Sequence, residues 1–377
     1  MKGFLTTHKG MEDIAALEVK ELIGTISKTN EAYITFNIKN YEDLFKLCYK
    51  SQSAIGIYYF LKEFNYGDLF NDFKKNISKI DFNEWLSVNT TFRVKCRKIC
   101  ENSTSTPDIE KKLGELIISH VQEKCSYDQK VDLENPDIAI FVHLTSNKCC
   151  IGIDFAGFDL SKRTYNIFSH SAAIKGTIAY SLVRLSDYNK NEILLDPFSG
   201  SGTIPIEAAL FASSFPVNFF SKEKFAFLKF NKFKDFNFNK LFKKLDQEIS
   251  ADKLEIYNID SLMKCINYSK KNSKIAGIGK KISFSRTDVE WLDTKFEKGK
   301  IGKIAAKLPS LQKKDSSNIY NEFFYQADFV LNKKGKIALI GDTDMVEKYS
   351  AKHNFKISGK KGIFSGKKKY EVFVLNK

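Results

Sequence analysis

An acid and two glycines stand where an apolar run gives way to a helical pattern, in the segment NEILLDPFSGSGTIPIEAAL at 191–210. The run ILLD at 193–196 is typical of a buried parallel strand, and it delivers Asp196 to the carboxyl edge of a sheet. Gly200 and Gly202 have no side chain, so a ligand can approach the loop backbone closely. The pattern therefore predicts a ligand-binding loop between a strand and a helix.

The residues of this loop disfavour two common ligands. A phosphate-binding loop of the GxxxxGKT type needs a lysine, and the loop has none. The dinucleotide fingerprint needs a third glycine three residues after Gly202, and that position is Pro205. A ligand with a cationic amino-acid end and a ribose but no phosphate remains, and S-adenosylmethionine fits that description.

Two further acids follow later apolar runs. Asp260 ends KLEIYNID, where we expect a carboxylate to bind ribose hydroxyls, and Asp288 follows KISFSR, from where it could reach the adenine amine. Each acid taken alone could instead cap a helix or a turn. Three acids at successive strand ends, together with the glycine turn, favour a cofactor site. The expected cofactor contacts are Asp196, Pro197, Phe198, Ser199, Gly200, Ser201, Gly202, Thr203, Asp260, Ser261, Asp288 and Val289.

The elements that must position these residues lie in the C-terminal half of the chain. From about residue 186, apolar strands alternate with helical patterns, as in a parallel α/β sheet. Its strand candidates are ILLD, KLEIYNI, KISFSR, GKIAAKL, KIALIG and YEVFVL. The preceding residues read as two smaller α+β units, the first of which ends near residue 55.

Composition indicates how many domains to expect and what kind of partner the chain binds. The chain has 377 residues, of which 43% are hydrophobic, so more than one domain is expected. The net charge of +15 favours a polyanionic partner, either a nucleic acid or an anionic membrane surface. The same charge is also compatible with lysines that are simply solvated.

Cysteine usage and hydropathy suggest a cytoplasmic protein. The seven cysteines form no CxxC pair, so we expect neither a zinc site nor a disulfide framework, and a reducing cytosol fits. The N-terminus does not resemble a signal peptide, and no uncharged apolar run is long enough to span a membrane. We therefore expect no metal and no membrane partner.

The glycine turn is part of a wider resemblance. DPFSGSGTIPIEAAL resembles motif I of the THUMP-domain RNA methyltransferases, which usually have Cys where Ser199 stands. Four further segments are similar to family segments in the same order along the chain, so the match covers nearly all of it. These segments are TTHKGMEDIAALEVKEL, GIDFAGFDLSKRTYNIFSHSAAIKGTIAYSLVRLS, IDSLMKCINYSKKNSKIAGI and IYNEFFYQADFVLNKKGKIALIG. Within the family, length and layout most resemble the enzymes that methylate N2 of a guanine in tRNA.

The resemblance implies an α/β fold class with an N-terminal α+β part. It implies a ferredoxin-like domain at 1–57, a THUMP RNA-binding domain at 58–155, a joining segment at 156–186 and a Rossmann-like class I methyltransferase domain at 187–377. It also implies S-adenosylmethionine as the cofactor and structured RNA, above all the acceptor end of tRNA, as the partner. We expect a monomer.

The acceptor motif differs from that of the family. The family's fourth strand ends in Asn-Pro-Pro-Tyr or Asp-Pro-Pro-Tyr, whose oxygens accept the amine N–H bonds of the base while the tyrosine stacks on it. This chain has Lys307, Leu308, Pro309 and Ser310 in that slot. A charged lysine donates hydrogen bonds and accepts none, and serine cannot stack. A desolvated, neutral Lys307 could act as a base instead.

Two functions follow from these observations. The first is methylation of a base in structured RNA, at guanine N2 in tRNA, and the intact glycine turn supports it. The second is RNA binding by a paralogue that keeps the fold, with or without cofactor binding, but has lost or altered base methylation. The divergent slot supports it. A DNA methyltransferase is disfavoured because the N-terminal half resembles a THUMP module.

Three other features have both a functional and a structural interpretation. His170 lies near the expected cofactor pocket, although a surface or capping histidine is the commoner case. Arg163 either contacts RNA or is an exposed, solvated arginine. The Phe/Lys-rich stretch at 220–244 either stacks on bases and neutralises phosphates or forms an aromatic cover with its lysines facing out.

Overall fold

The structure is a computed structural model that describes residues 1–100, 104–169, 173–309 and 313–377, without the side chains of 313–316. Two predicted site residues, His170 and Ser310, therefore lie outside the described residues. The described chain forms an eight-stranded sheet in its N-terminal half and a seven-stranded sheet in its C-terminal half.

The N-terminal sheet is mixed and has the strand order β2-β3-β1-β4-β8-β7-β5-β6. Its strands are β1 (Lys2–Thr6), β2 (Ser27–Asn30), β3 (Tyr33–Asn37), β4 (Gly56–Asn65), β5 (Thr91–Lys98), β6 (Lys130–Val131), β7 (Ile138–Leu144) and β8 (Lys148–Asp154). The helices of this half are α1 (Glu12–Ile23), α2 (Tyr41–Lys50), α3 (Leu69–Ile77) and α4 (Thr106–Cys125). All four helices contribute side chains to one hydrophobic cluster with one face of the sheet.

Strand β4 joins the two N-terminal units into a single sheet. It pairs antiparallel with β1 on one side and with β8 on the other. The sequence analysis did not predict this strand, and the expected boundary between residues 57 and 58 falls within it. The division of the chain into four segments stays a prediction.

The C-terminal sheet has the order β11-β10-β9-β12-β13-β15-β14. Its strands are β9 (Leu194–Asp196), β10 (Ile256–Asp260), β11 (Ser283–Arg286), β12 (Ile301–Lys307), β13 (Leu331–Ile340), β14 (Lys356–Ser365) and β15 (Lys368–Asn376). The neighbouring strands from β11 to β13 pair in parallel, whereas β15 is antiparallel to both of its neighbours. The expected alternation of strands and helices around a parallel sheet is confirmed, with an antiparallel hairpin added at one edge.

The described residues of this half form seven α-helices. They are α5 (Gly176–Leu185), α6 (Thr203–Ala212), α7 (Phe238–Asp246), α8 (Met263–Ile275), α9 (Leu292–Lys295), α10 (Lys313–Val330) and α11 (Thr343–Lys352). Helix α6 begins directly after the glycine turn, so its position decides where the loop lies.

The Phe/Lys-rich stretch covers the N-terminal half rather than the catalytic sheet. Phe225 and Phe227 are fully buried. The Phe227 ring centroid lies 4.5 Å from that of Phe45 in α2, and Phe230 lies 5.5 Å from Phe155. The prediction of an aromatic cover is therefore confirmed, because rings buried in a core are not free to stack on bases.

A buried ion pair ties the joining segment to helix α6. Arg163 Nε donates to Glu207 Oε1 at 2.7 Å, and both side chains are almost completely buried. The hydroxyl of Tyr165 and the amide of Gln52 also donate to the Glu207 carboxylate, at 2.6 and 2.7 Å. Both interpretations of Arg163 were wrong, because its guanidinium pairs with a carboxylate inside the protein and contacts neither RNA nor bulk water.

A second contact joins the start of the chain to the last hairpin. His8 bridges the Thr177 hydroxyl, at 3.0 Å, and the carbonyl of Phe364, at 3.1 Å. Burial, together with the nearby Lys175 and Arg97 cations, lowers the pKa of His8 to about 4. The ring is therefore neutral near pH 7, and this bridge does not switch in the physiological range.

The buried pair makes a prediction about stability. Replacing Arg163 by methionine should lower the free energy of unfolding by about 3 kcal/mol, because the Glu207 charge would stay buried without its cation. Urea denaturation measures this change. The matched control is Lys112→Met, which breaks an exposed pair with Glu115 and should cost less than about 1 kcal/mol. Equal losses in the two variants would contradict the role assigned to Arg163.

Candidate cofactor and acceptor site

Asp196 is a nearly inaccessible carboxylate at the end of β9, with 1% of its surface exposed. One oxygen accepts a hydrogen bond from the Phe198 N–H at 3.1 Å. Within the described part of the chain, the other oxygen has no hydrogen-bond partner. Burial raises the pKa of Asp196 well above its usual range, and the neighbouring Asp260 adds to this, while the Phe198 N–H opposes it. The carboxyl thus lacks a counter-charge.

The loop after Asp196 needs glycine at two positions. Gly200 and Gly202 have φ angles of +52° and +82°, in the left-handed region that favours glycine. A Cβ atom on Gly202 would lie 2.8 Å from the Cβ of Ser269 in α8. The Ser269 hydroxyl in turn donates to the Gly200 carbonyl at 3.0 Å. The loop therefore passes closely against α8 at Gly202, whereas a Cβ atom on Gly200 would meet nothing within 4 Å.

Asp260 ends β10 and braces the loop from the neighbouring strand. Its two oxygens accept from the backbone N–H groups of Gly200 and Leu262, each at 2.9 Å. A carboxylate has about four acceptor positions, so about two remain for the hydroxyls of a ligand. Asp260 is partly exposed, which leaves those positions accessible.

The sequence analysis missed Asn258. This residue lies opposite Asp196 in the pairing of β9 with β10 and is fully buried. Among the described residues, neither polar atom of its side chain has a partner, and the same holds for the hydroxyls of Ser199 and Ser201. A polar residue inside the apolar run KLEIYNID was the available signal. Unpartnered buried polar atoms require an explanation, and a polar ligand at the loop supplies one.

The remaining predicted cofactor residues lie at the same edge of the sheet. Asp288 is exposed and Val289 is half-buried after β11, and the Thr287 N–H donates to the Asp260 carbonyl at 3.2 Å. Ser261 is exposed, whereas Pro197 is buried beside the loop and Thr203 is buried as the first residue of α6. The structure thus gathers the predicted residues around one loop, and their contacts with a cofactor stay a prediction.

Lys307 is the last residue of β12, which pairs with β9 and so ends at the edge that holds Asp196. Burial and the Lys368 cation lower the pKa of Lys307. Leu308 is buried, and its N–H donates to the Ile340 carbonyl at 2.9 Å. Pro309 is half-buried. The first residue of the slot is therefore a lysine whose protonated, positively charged form is disfavoured.

The joining segment also reaches the loop. The side-chain amide of Asn272 in α8 donates to the carbonyls of Phe168 and Ser201, at 2.8 and 3.0 Å. Its oxygen accepts from the Phe168 N–H at 3.1 Å. One side chain therefore holds both the joining segment and the glycine turn.

The described residues contain neither a metal-binding cluster nor a membrane-spanning helix. No group of three or more His, Cys, Asp or Glu residues there could hold a metal ion. No helix within these ranges is long and apolar enough to cross a membrane.

Family models match both halves of the chain. A model of the THUMP domain matches residues 69–154. A model described as RMKL-like, methyltransferase domain, matches residues 163–368, which is more than half of the chain. The chain belongs to this methyltransferase family. The family resemblance found in the sequence is confirmed, and the protein is an S-adenosylmethionine-dependent RNA methyltransferase with a THUMP domain.

Individual relatives agree with this assignment. The chain is 30% identical over 386 residues to a tRNA (guanine(6)-N2)-methyltransferase of Methanocaldococcus jannaschii, and the match covers 100% of both chains. A possible methylase from Clostridium difficile 630 has the same fold, with a TM-score of 0.85 at 23% identity over 100% of this chain and 97% of the other. SMU.472, solved in complex with S-adenosylhomocysteine, gives a TM-score of 0.82 at 21% identity, with 100% and 97% coverage.

The raised pKa of Asp196 predicts an unusual pH dependence in this methyltransferase. An unfolded Asp titrates near pH 4, so above that pH the folded state holds the proton more tightly than the unfolded state. The free energy of unfolding therefore falls as pH rises toward the folded pKa. In the Asp196→Asn variant the free energy of unfolding should not show this decrease with pH. Without ligand, urea denaturation at pH 8 should find the variant more stable than wild type.

Asp252→Asn is the matched control. The Lys190 ammonium donates to this exposed carboxylate and lowers its pKa, so the substitution should give no gain in stability at pH 8. If the free energy of unfolding of wild type changed with pH as little as that of Asp196→Asn, the result would contradict a raised pKa for Asp196.

Proposed function

We propose that this methyltransferase transfers a methyl group to N2 of a guanine in tRNA. The observation that supports the proposal most strongly is the end-to-end similarity to the Methanocaldococcus jannaschii enzyme, which extends over both halves of the chain. The net charge of +15 supports a polyanionic substrate. The seven free cysteines support a cytoplasmic location. We further propose that the protein acts as a monomer.

The polar groups of the glycine turn suit S-adenosylmethionine. When bound, this cofactor supplies an electrophilic methyl carbon on a sulfonium centre. The Asp196 carboxylate would face the cationic amino-acid end, and Asn258 and the Ser199 hydroxyl offer further hydrogen bonds to it. The remaining acceptor positions of Asp260 would bind the ribose hydroxyls. A cation beside Asp196 would remove the cost of the buried charge.

In this proposal Lys307 accepts the proton that the guanine amine gives up. The amine is a weak nucleophile because its lone pair is delocalised into the ring, so an acceptor for its N–H bonds promotes attack. A neutral lysine nitrogen has a lone pair for this purpose, and burial together with Lys368 favours the neutral form. Lys307 would thus replace the oxygen acceptor of the usual family motif.

The same slot also supports a second candidate function. If Lys307 stays protonated, it offers no acceptor, and its charge would oppose a sulfonium nearby. The chain would then be an RNA-binding paralogue that keeps the fold, with or without cofactor binding, but has lost or altered base methylation. A methylation assay on tRNA separates these two functions.

The test is methyl transfer to tRNA from a strain that lacks the gene, followed by nucleoside analysis. Wild type should form N2-methylguanosine, at a rate that increases with pH until Lys307 is fully neutral. Lys307→Arg keeps a permanent positive charge and should lower kcat by about a hundredfold or more, the range of general-base effects. Its affinity for S-adenosylhomocysteine and tRNA should stay within about threefold of wild type.

Each outcome has a distinct meaning. Wild type that binds tRNA but forms no methylated nucleoside would support the paralogue. If Lys307→Arg formed N2-methylguanosine as fast as wild type, the proposed reaction would stand but Lys307 would not be the proton acceptor. A methyl group on another base would reject the proposed substrate position.

A further inference from the structure

The β14–β15 hairpin extends past the carboxyl edge of the catalytic sheet, beside the acceptor slot. Lys307 pairs with Ile340 of β13, and Ile340 pairs with Val372 of β15. Because β15 is antiparallel to β13, its residues before Val372 continue beyond that edge. Lys368 is four residues earlier, about 13 Å along an extended strand. It is still close enough to Lys307 to lower the pKa of that residue.

The hairpin is anchored on the N-terminal half. The Phe364 N–H donates to the Lys9 carbonyl at 2.9 Å, and His8 contacts the Phe364 carbonyl. Gly10 lacks a side chain at the crossing, where a Cβ atom would lie 2.1 Å from the Gly362 carbonyl oxygen. The hairpin is therefore a fixed bridge between the half that contains the THUMP domain and the catalytic slot.

The lysines of the hairpin differ in their partners. Lys360 and Lys361 on β14 pair with Glu347 and Asp13, and Lys369 pairs with Glu371 at 2.6 Å. At the tip, Lys367 and Lys368 are exposed, and no carboxylate of the described side chains forms an ion pair with either. The Lys368 ammonium also lies over the Tyr370 ring, 4.9 Å from its centroid. Two adjacent cations without an ion-pair partner among the described side chains therefore face solvent at the tip of the hairpin, beyond the edge at which Lys307 lies.

We propose that Lys367 and Lys368 form a phosphate clamp, which binds the backbone of the RNA strand whose base enters the acceptor slot. Surface lysines without acidic partners can exchange bound counterions for phosphates at little cost in free energy. Contacts with phosphates fix the register of a nucleic acid without reading its sequence. The fixed hairpin would hold the strand at a set distance from Lys307. This inference rests on the proposed function, since it assigns the backbone contact of the same site.

The test compares binding of an unmodified tRNA transcript by wild type and by the K367A/K368A double variant. The variant should bind about tenfold more weakly at low salt. The slope of log affinity against log salt should become shallower by between about 1 and 2, because about two fewer phosphates are neutralised. Affinity for S-adenosylhomocysteine should be unchanged, and K367R/K368R should bind tRNA like wild type.

The matched control is K333A/K334A, which removes two exposed lysines near the amino end of β13, at the opposite edge of the sheet. It should bind tRNA within about twofold of wild type. An unchanged affinity and salt slope in K367A/K368A would overturn the clamp, and so would an equal loss in K333A/K334A. Because the readout is binding, a failure of the proposed methylation reaction would be seen separately, as intact tRNA binding without N2-methylguanosine.

Discussion

The proposed cofactor site depends on a carboxylate that the fold buries without a counter-charge. Asp196 is placed at the end of β9 by strand pairing on both sides, and its second oxygen has no partner among the described residues. A buried charge of this kind is costly unless a cation neutralises it. The left-handed glycines, the bracing by Asp260 and the unpartnered Asn258 lie around the same strand end.

The RNA-binding half is fastened to the helix that follows this site. Glu207 in α6 accepts hydrogen bonds from Arg163 of the joining segment and from Gln52 of the N-terminal half. The His8 bridge and the aromatic cover add contacts between the halves at other points. An RNA held by the N-terminal half would therefore meet the catalytic edge in a fixed orientation, which suits an enzyme that acts on one nucleotide of a folded substrate.

The sequence predicted the elements whose residues repeat a local pattern. The buried strands β9, β10 and β12 and the glycine turn were all evident, because apolar runs and left-handed glycines are local signals. Strand β4, which joins the two N-terminal units, was missed because Lys62 and Glu63 interrupt its apolar pattern. Strand β14 was missed because lysines and glycines interrupt its apolar pattern.

The site was predicted less completely than the fold, for similar reasons. The acids at the strand ends were found by position, whereas Asn258 was hidden inside a strand. The burial of Arg163 could not be predicted, because its partner Glu207 lies 44 residues away and no local pattern couples the two. Lys307 was recognised as an unusual residue in its slot. Its pKa is lowered by burial and by Lys368 of the β14–β15 hairpin, and both effects arise only in the folded chain.

The most direct test of this account is the proton balance when S-adenosylhomocysteine binds. Calorimetric titration at pH 6 in buffers of different ionisation enthalpy gives the number of protons exchanged. We expect wild type to release protons on binding, because Asp196 must ionise to meet the cationic amino-acid end of the ligand. Asp196→Asn should release fewer protons. It should also bind S-adenosylhomocysteine at least tenfold more weakly, a loss of about 1.4 kcal/mol in binding free energy. Equal proton release and equal affinity in the two proteins would contradict the central role of the buried carboxylate.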